Sequence, residues 1–138
     1  MANSRQIAGM RGVFMVAAEL SRLGFIVSLT SRSSQGADLL VTDQLCNRAF
    51  SVQVKTNART FNFWLLNEKA KELISHSHIY ILVNIRREGK VIEYFVVPSE
   101  VISKTMVIEK KETSTWYSIG YDDVKPYLNN WKIFGNPE

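Results

Sequence analysis

The sequence predicts an α/β fold in which a mixed central sheet is flanked by helices. Three features indicate this class: a helical apolar repeat near the start of the chain, three short strand patterns after it, and a nearly continuous apolar run over residues 79–85. A run that is apolar at almost every position is typical of a strand buried on both faces. We therefore expect this strand at or next to the middle of the sheet.

The length and composition fit a single domain over residues 1–138. The chain is long enough for a sizeable core, and 46% hydrophobic with 22% charged residues is typical of a compact globule. No apolar run approaches the roughly 18 residues that cross a bilayer, and the first residues lack the pattern of a signal peptide. The single cysteine, Cys46, suits a reducing compartment. We expect a cytoplasmic protein with no membrane partner.

The excess of positive charge lies in the first part of the chain. The net charge is +4, and residues 1–60 contain seven basic groups against three acids, whereas residues 61–138 contain ten of each. A local excess of positive charge attracts polyanions, most strongly at low salt. This distribution favours nucleic acid as a partner, although many proteins without that role are equally basic.

The first predicted elements are a helix and a strand. Apolar side chains recur at helical spacing from Met10 to Leu20, and Gly24 is suited to end the helix, which we expect over residues 7–23. Residues 25–30 have the composition of a strand. The helix is expected to pack over the sheet that this strand begins.

Two further strands carry polar side chains among apolar ones. Asp38 stands at the head of a strand over residues 38–42, and the next strand covers residues 49–56. Successive side chains of a strand alternate between faces, so Gln53 and Lys55 should point to the same side of the sheet. A hairpin between the two strands would bring Asp38 close to that pair.

A carboxylate, an amide and a lysine that converge on a sheet are suited to metal-assisted hydrolysis of phosphodiesters. The oxygens of Asp38 and Gln53 would hold a hard cation such as Mg²⁺ or Mn²⁺, which prefers oxygen ligands and keeps several waters. Lys55 would orient the attacking water and offset charge on the phosphate. Arg32 and Ser34, in the polar loop before Asp38, are suited to phosphate contacts, although such a loop is more often simply a turn.

The rest of the chain predicts a helix, two antiparallel strands and an aromatic C-terminal part. Aromatic side chains there should close one end of the core. The expected elements are a helix over residues 67–75, strands over 79–85 and 91–97, a short helix that begins at Pro98, a small strand near 116–119 and a helix near 122–128.

An aromatic-rich connection follows the third strand. Phe61, Phe63 and Trp64 lie near Arg59 in the sequence, and aromatic side chains beside a basic group can stack nucleic-acid bases. The alternative, which the sequence favours, is that this cluster caps the core.

Two histidines, His76 and His78, follow the predicted helix at residues 67–75. A zinc site needs three or four ligands, and no third ligand is placed by spacing. We therefore interpret both histidines as residues of a helix end or a loop.

The order of the elements and the polar residues of the strands resemble the PD-(D/E)XK nuclease superfamily. Its motif is an aspartate at the start of a strand, followed by Glu, Asp or Gln, any residue, and Lys; here it is Asp38, then Gln53-Val54-Lys55. The glutamine form is similar to Mrr-type restriction endonucleases, and the preceding helix and loop resemble archaeal Holliday-junction resolvases. The resemblance implies an αβββαβ core over about residues 9–97, with residues 98–138 as a C-terminal elaboration.

The resemblance implies a metal-dependent DNA endonuclease. It assigns Asp38, Gln53 and Lys55 as catalytic residues, and Asp38 and Gln53 as ligands of Mg²⁺ or Mn²⁺. DNA is the implied partner, together with a homodimer or a partner subunit, and no small-molecule cofactor is implied. The candidate DNA contacts are Arg32, Ser34 and Arg59.

The sequence departs from the superfamily in ways that keep other hypotheses open. A glutamate one turn into the first helix often completes the metal site, but that position falls on Val13. Glu19, the only acid in the helix, lies about 120° further round and is either a candidate site acid or a solvated residue. With Gln53 in place of a carboxylate, a second hypothesis is a catalytically degenerate module that binds nucleic acid or a protein. A third is an α/β domain in which Asp38, Gln53 and Lys55 never meet.

Overall fold

The computed structural model describes residues 4–31, 36–59 and 62–138, and three α-helices lie within these ranges. Helix α1 spans Ser4–Arg22, and two short helices follow near the C-terminus, α2 over Ser99–Thr105 and α3 over Tyr121–Val124. Single 3₁₀ turns cover Glu68–Lys71, Arg87–Gly89, Lys125–Tyr127 and Trp131–Phe134. None of the described helices is long and apolar enough to cross a membrane.

Eight strands occur in the described ranges and form two sheets. The strands are β1 Ile26–Leu29, β2 Leu39–Thr42, β3 Ala49–Asn57, β4 Phe63–Leu65, β5 His78–Arg86, β6 Val91–Pro98, β7 Val107–Lys110 and β8 Thr115–Gly120. The large sheet has the order β1-β2-β3-β5-β6, with β3 and β5 parallel and the other pairs antiparallel. Strand β5 is buried from His78 to Ile85, as the apolar run predicted.

A hydrophobic core lies on each face of the large sheet, because the apolar residues of β5 and β6 alternate between faces. The helix-side core joins α1 to the sheet, and the opposite core joins the sheet to α2 and the small sheet. Prominent members of the helix-side core are Val13, Val16, Leu20, Val52, Val54, Ile79 and Ile81. Prominent members of the opposite core are Trp64, Tyr80, Leu82, Phe95, Ile102 and Ile119.

The small sheet has the order β4-β8-β7 and covers the second face of the large sheet. Trp64 of β4 is buried, and its indole Nε1 donates a hydrogen bond of 3.1 Å to the carbonyl oxygen of Val83 on β5. Ile119 of β8 is buried in the same core. Only the strand near residues 116–119 was expected from the sequence, so β4 and β7 are additional elements.

The helix predicted over residues 67–75 is wrong, since this part contains only the 3₁₀ turn Glu68–Lys71. Ala70 is the only buried residue of that turn, so there is little apolar surface to hold a longer helix against the sheet. Side chains of helix α2 also form hydrogen bonds with the backbone at the end of this turn and beyond it. The hydroxyl of Ser103 donates to the carbonyl oxygen of Lys71, and that of Ser99 bonds both backbone groups of Ser75.

The C-terminal aromatic residues close one end of the helix-side core, as predicted. Phe134 is fully buried, and its ring centroid lies 5.7 Å from that of Phe25 and 5.1 Å from that of Phe50. The helix expected near residues 122–128 divides into α3 and a 3₁₀ turn. Pro126 lies in that turn and has no amide hydrogen to continue an α-helix.

Replacing either of two glycines of α1 with alanine should change the free energy of unfolding, in opposite directions for the two positions. A Cβ atom at Gly12 would overlap Oγ1 of Thr56 on β3, whereas nothing lies within 4 Å of a Cβ atom at Gly9. Gly12→Ala should therefore lower the free energy of unfolding by about 1–3 kcal/mol through overpacking. Gly9→Ala should raise it by up to about 1 kcal/mol through helix propensity. Urea unfolding measures both, and equal effects would contradict this packing of α1 on β3.

Candidate active site

Asp38 is held against β3 by two hydrogen bonds. It directly precedes β2 and is only 7% exposed. Its amide donates to the carbonyl oxygen of Val52 at 2.8 Å, and its Oδ2 accepts from the amide of Val54 at 2.9 Å. Val52 and Val54 flank Gln53 on β3. Asp38, directly before the start of β2, therefore lies next to Gln53 of the adjacent strand.

Gln53 and Lys55 lie on the face of β3 that is turned away from α1. Val52 and Val54 alternate with them and belong to the helix-side core. In the parallel pairing with β5, Gln53 lies opposite Tyr80, which belongs to the other core. Strand β3 thus has the alternation that the sequence predicted.

The environment of Lys55 combines burial with a nearby negative charge. Burial lowers the pKa of its amine, and the carboxylate of Asp38 opposes that shift in part. The two groups are therefore close enough for their charges to interact. The structure thus brings Asp38, Gln53 and Lys55 together.

Lys55 lies between two clefts. The first, the Gln53 cleft, has a volume of about 330 Å³ and the second, the Arg59 cleft, about 390 Å³. Among the described residues, only Lys55 lines both. The Gln53 cleft is also lined by Gln53, Glu68, Lys69 and Tyr80. The Arg59 cleft is also lined by Ser4, Arg5, Ala8, Asn57, Arg59, Phe63 and Leu65.

Four ionisable lining residues were missed by the sequence reasoning: Arg5, Glu68, Lys69 and Tyr80. Burial raises the pKa of Tyr80 to about 12, so its hydroxyl stays protonated near neutral pH and can donate a hydrogen bond. Tyr80 is hidden within the apolar run of β5. Pairing that run in parallel with β3 would have placed it opposite Gln53.

The other predicted nucleic-acid contacts have different outcomes. Arg59 lines the Arg59 cleft together with Lys55. Arg32 and Ser34 lie outside the described residues, as does Phe61 of the aromatic connection. The remaining two aromatic residues separate, because Trp64 is buried in the core whereas Phe63 is exposed and lines the Arg59 cleft.

Glu19 lies apart from Gln53 and Lys55. Its carboxylate accepts hydrogen bonds from Arg22, one turn further along α1. Its charge also acts on Tyr94, which packs against the helix-side core on the opposite face of the sheet from Lys55. Val13 is buried in that core. Among its described residues, α1 therefore contributes Ser4, Arg5 and Ala8 to the clefts but no carboxylate.

The oxygen donors at this site suit a hard cation with few protein ligands. No group of three His, Cys, Asp or Glu that could hold a metal occurs in the described part of the chain. Asp38 offers one carboxylate, Gln53 an amide oxygen, and Glu68 a carboxylate on the wall of the Gln53 cleft. Mg²⁺ is commonly held by one or two carboxylates plus water and substrate phosphate. This donor set fits such an ion.

His78, the first residue of β5, should make the stability depend on pH. Burial lowers its pKa, and a hydrogen bond with the backbone of Ser51 opposes the shift in part. The hydroxyl of Ser51 also lies 2.7 Å from Nδ1 of His78. Its Nε2 is buried without a hydrogen-bond partner among the described residues. The unfolded chain therefore takes up the proton more readily, so stability is lost as the pH falls below the ordinary value of 6.5.

Thermal unfolding between pH 7.5 and pH 5 measures this effect of His78, and a second histidine supplies the control. His78→Gln should flatten the dependence of the melting temperature on pH. His76 is exposed, so His76→Gln should keep the wild-type slope. An unchanged slope in His78→Gln would show that His78 is not the titrating group.

Two solved structures resemble this chain in fold. Hjc, a Holliday junction resolvase from the archaeal hyperthermophile Archaeoglobus fulgidus, matches with a TM-score of 0.60 and 14% identity, covering 93% of this chain and 96% of its own. The bacterial homing endonuclease I-Ssp6803I matches with a TM-score of 0.60 and 14% identity, covering 96% of this chain and 91% of its own. No family model and no curated protein matches the sequence.

These likenesses establish the class of fold. The present chain shares the fold of both structures, the restriction-endonuclease-like fold. The predicted fold class is therefore confirmed, with the five-stranded mixed sheet at its centre. An identity of 14% carries no residue roles, so the assignment of function depends on the site.

Proposed function

We propose that this protein is a metal-dependent DNA endonuclease that hydrolyses phosphodiester bonds with Asp38, Gln53 and Lys55. The observation that carries the proposal is the meeting of these three residues: the carboxylate of Asp38 is fixed by the amide of Val54, and it lies beside Gln53 and within charge range of Lys55. Gln53 and Lys55 line clefts on a fold that two nucleases share.

The oxygens of Asp38 and Gln53 are proposed to hold Mg²⁺ or Mn²⁺. A bound cation of this kind polarises a phosphate and lowers the pKa of a bound water. The amide of Val54 orients the Asp38 carboxylate, so the ligand is positioned before substrate arrives. Gln53 adds an oxygen without charge, so the affinity for metal should be lower than at a site with two carboxylates.

Lys55 is proposed to orient the attacking water and to stabilise charge on the phosphate. It lies between the two clefts, so a phosphate that bridges them meets its amine. The amine is partly desolvated, and an electrostatic contact is stronger in such a site than in bulk water. The hydroxyl of Tyr80 is a second donor in the Gln53 cleft.

DNA is proposed to be held by basic groups around the two clefts. Arg5 and Arg59 line the Arg59 cleft, and Lys69 lines the Gln53 cleft. Arg32 and Ser34 remain proposed phosphate contacts. Such contacts supply affinity that depends on salt and carries little sequence preference.

A homodimer and a cytoplasmic location belong to the same proposal. Ile7, Met10 and Phe14 form an exposed apolar stripe on α1, which supports association with a second copy or a partner subunit. The exposed free thiol of Cys46 supports a reducing compartment.

A second candidate function is a nuclease-fold module that binds DNA without cutting it. One observation favours it: the part of α1 that reaches the clefts carries no acid, and Val13 is buried. Calorimetric titration with Mn²⁺ separates the two candidates. Uptake of metal by the wild type, lost in Asp38→Asn, favours the nuclease, whereas no uptake at millimolar metal favours the binding module.

The decisive experiment is cleavage of supercoiled, linear and branched DNA in the presence of Mg²⁺, Mn²⁺ or EDTA. The nuclease should cut at least one of these substrates with metal and none with EDTA. Cutting that persists in EDTA would contradict metal dependence. The absence of cutting on every substrate with either metal would overturn the proposed activity.

A further inference from the structure

We infer that the outer face of the small sheet binds unpaired bases of a DNA strand whose backbone passes Arg59 and Lys55. The inference rests on the proposed function and deepens it, because it names the substrate class. That class is DNA with a single-stranded segment next to the position of cleavage. The outer face is defined here by four residues: Phe63, Leu65, Val107 and Trp116.

The strand register places these four residues on one side of the small sheet. Leu65 pairs with Ser118, which in turn pairs with Val107. Directly paired residues of antiparallel strands share a face, and so do residues two apart on one strand. Phe63 and Trp116 therefore lie on the same face as Leu65 and Ser118. The alternate residues, such as Trp64, point into the core.

The outer face is unusually apolar and aromatic for a surface in solvent. Phe63 is 43% exposed, Leu65 41%, Val107 45% and Trp116 47%. An antiparallel sheet with one solvated face normally carries polar residues on that face. A contiguous apolar surface of this kind marks a place where another molecule binds.

The outer face is continuous with the candidate active site. Phe63 and Leu65 line the Arg59 cleft, which also contains Lys55. Phe63 pairs with Gly120, and Leu65 with Ser118, so the small residues Gly120 and Ser118 lie along β8 between Phe63 and Trp116. Trp116 is about 13 Å from Gly120 along β8, at about 3.3 Å per residue. A DNA strand that leaves Lys55 can therefore cross the outer face from the ring of Phe63 to the ring of Trp116.

The charges around the outer face favour a nucleic-acid strand. Arg5 and Arg59 lie at the end with Phe63, and the Nζ of Lys111 lies 5.3 Å from the centre of the Trp116 ring at the other end. Glu109 pairs with Trp116 and so shares its face. The carboxylate of Glu109 offsets the charge of Lys111 at the Trp116 end, so the excess of positive charge lies at the Phe63 end, where a backbone would enter, and the apolar rest of the face is suited to bases.

The bases on this face must be unpaired. Aromatic side chains contribute to binding by stacking on the flat side of a base, and this contact does not depend on base identity. In a duplex that side is already covered by the next base pair. Sheets with exposed aromatic residues bind single-stranded nucleic acid in this manner.

Binding of fluorescently labelled oligo(dT) of about 20 nucleotides, followed by anisotropy in EDTA so that no cleavage occurs, tests the inference. Trp116→Ala should weaken binding about tenfold, which is the loss of one stacked base. Trp116→Phe keeps an aromatic ring and should retain most of the affinity. Val107→Ala removes apolar area from the same face but no ring, so its affinity should stay near that of the wild type.

Tryptophan fluorescence gives a second readout that separates stacking from an indirect effect on folding. Oligo(dT) should quench the emission of the wild type, and the quenching should largely disappear in Trp116→Phe while binding persists. Trp64 is buried, and Trp131 packs against the helix-side core on the other face of the large sheet, so both should contribute little to the quenching. Quenching that is unchanged in Trp116→Phe would overturn the inference.

Two further results would overturn the inference without touching the proposed activity. One is an affinity for oligo(dT) that is equal in Trp116→Ala and the wild type while both proteins cut DNA in Mg²⁺. The other is a wild type that sediments as a dimer and a Trp116→Ala that sediments as a monomer, because a second copy would then cover the outer face. Binding through Trp116 by a protein that cuts no DNA would instead overturn the nuclease alone.

Discussion

Replacing Asp38 with asparagine should lower DNA cleavage by about a thousandfold or more and leave the fold intact. The substitution removes the negative charge that the proposed cation needs, and metal assistance contributes several kcal/mol, with each 1.36 kcal/mol worth about tenfold in rate. Asparagine keeps an oxygen that can accept the hydrogen bond from the amide of Val54. Activity should therefore be lost without a matching loss of stability.

Asp38→Ala should lose both activity and stability. Without an acceptor, the buried amide of Val54 is left unsatisfied, which costs about 1–3 kcal/mol of the free energy of unfolding. Steady-state cleavage rates and urea unfolding of the two Asp38 variants separate these effects. The difference between their free energies of unfolding should measure the contribution of the hydrogen bond from Val54. The loss of cleavage that they share should measure the contribution of the carboxylate charge.

Asp43 provides the matched control for Asp38. It is also a buried aspartate, and its Oδ1 accepts hydrogen bonds from the amides of Asn47 and Arg48, but the carboxylate whose charge acts on Lys55 is that of Asp38. Asp43→Asn should cut DNA at close to the wild-type rate. If Asp38→Asn also cuts at the wild-type rate, the carboxylate has no catalytic role and the proposed site is wrong.

The parts of the site that arise from local alternation could be predicted from the sequence. Gln53 and Lys55 are two residues apart on a strand whose apolar members, Val52 and Val54, face the helix-side core. Asp38 precedes the strand that pairs directly with this one, across a short turn. Both relations depend only on strand geometry and on a connection between neighbouring strands. The alternation of side chains between the two faces of a strand was therefore sufficient to predict them.

The parts that depend on distant pairing could not be predicted. Strand β4 has three residues, and only its pairing with β8, far along the chain, determines that Trp64 is buried and Phe63 exposed. The helix expected over residues 67–75 has a suitable local pattern. Hydroxyl groups of Ser99 and Ser103, from α2, bond its backbone instead. The sequence around residues 67–75 contains no pattern that would predict these contacts.

Replacing Lys55 with methionine should lower the kcat of DNA cleavage by about 10²–10³-fold, the usual cost of removing one donor aimed at developing charge. Methionine keeps the length and apolar stem of lysine but cannot orient a water. Lys55→Arg should also lose most of the activity, because a planar guanidinium does not replace a compact amine between two clefts. Single-turnover cleavage at saturating metal measures both variants.

Lys69 is the matched control for Lys55, because it lines the same Gln53 cleft but is exposed. A lysine that only contacts the DNA backbone contributes to affinity. Lys69→Met should therefore raise KM and weaken the dependence of binding on salt, with little change in kcat. A wild-type kcat in Lys55→Met, or an equal loss of kcat in Lys69→Met, would contradict a specific role for Lys55.

The stability of Lys55→Met distinguishes a functional role from a structural one. Burial lowers the pKa of Lys55 in the folded chain, so the unfolded chain binds this proton more tightly. The contribution of Lys55 to stability is therefore greatest above the ordinary pKa of 10.5 and is lost as the pH falls through the lowered value. Below that value the folded chain holds an ammonium group at a desolvation cost, which methionine removes. Lys55→Met should thus unfold at the same or a higher urea concentration than the wild type at pH 7, although it has lost its activity.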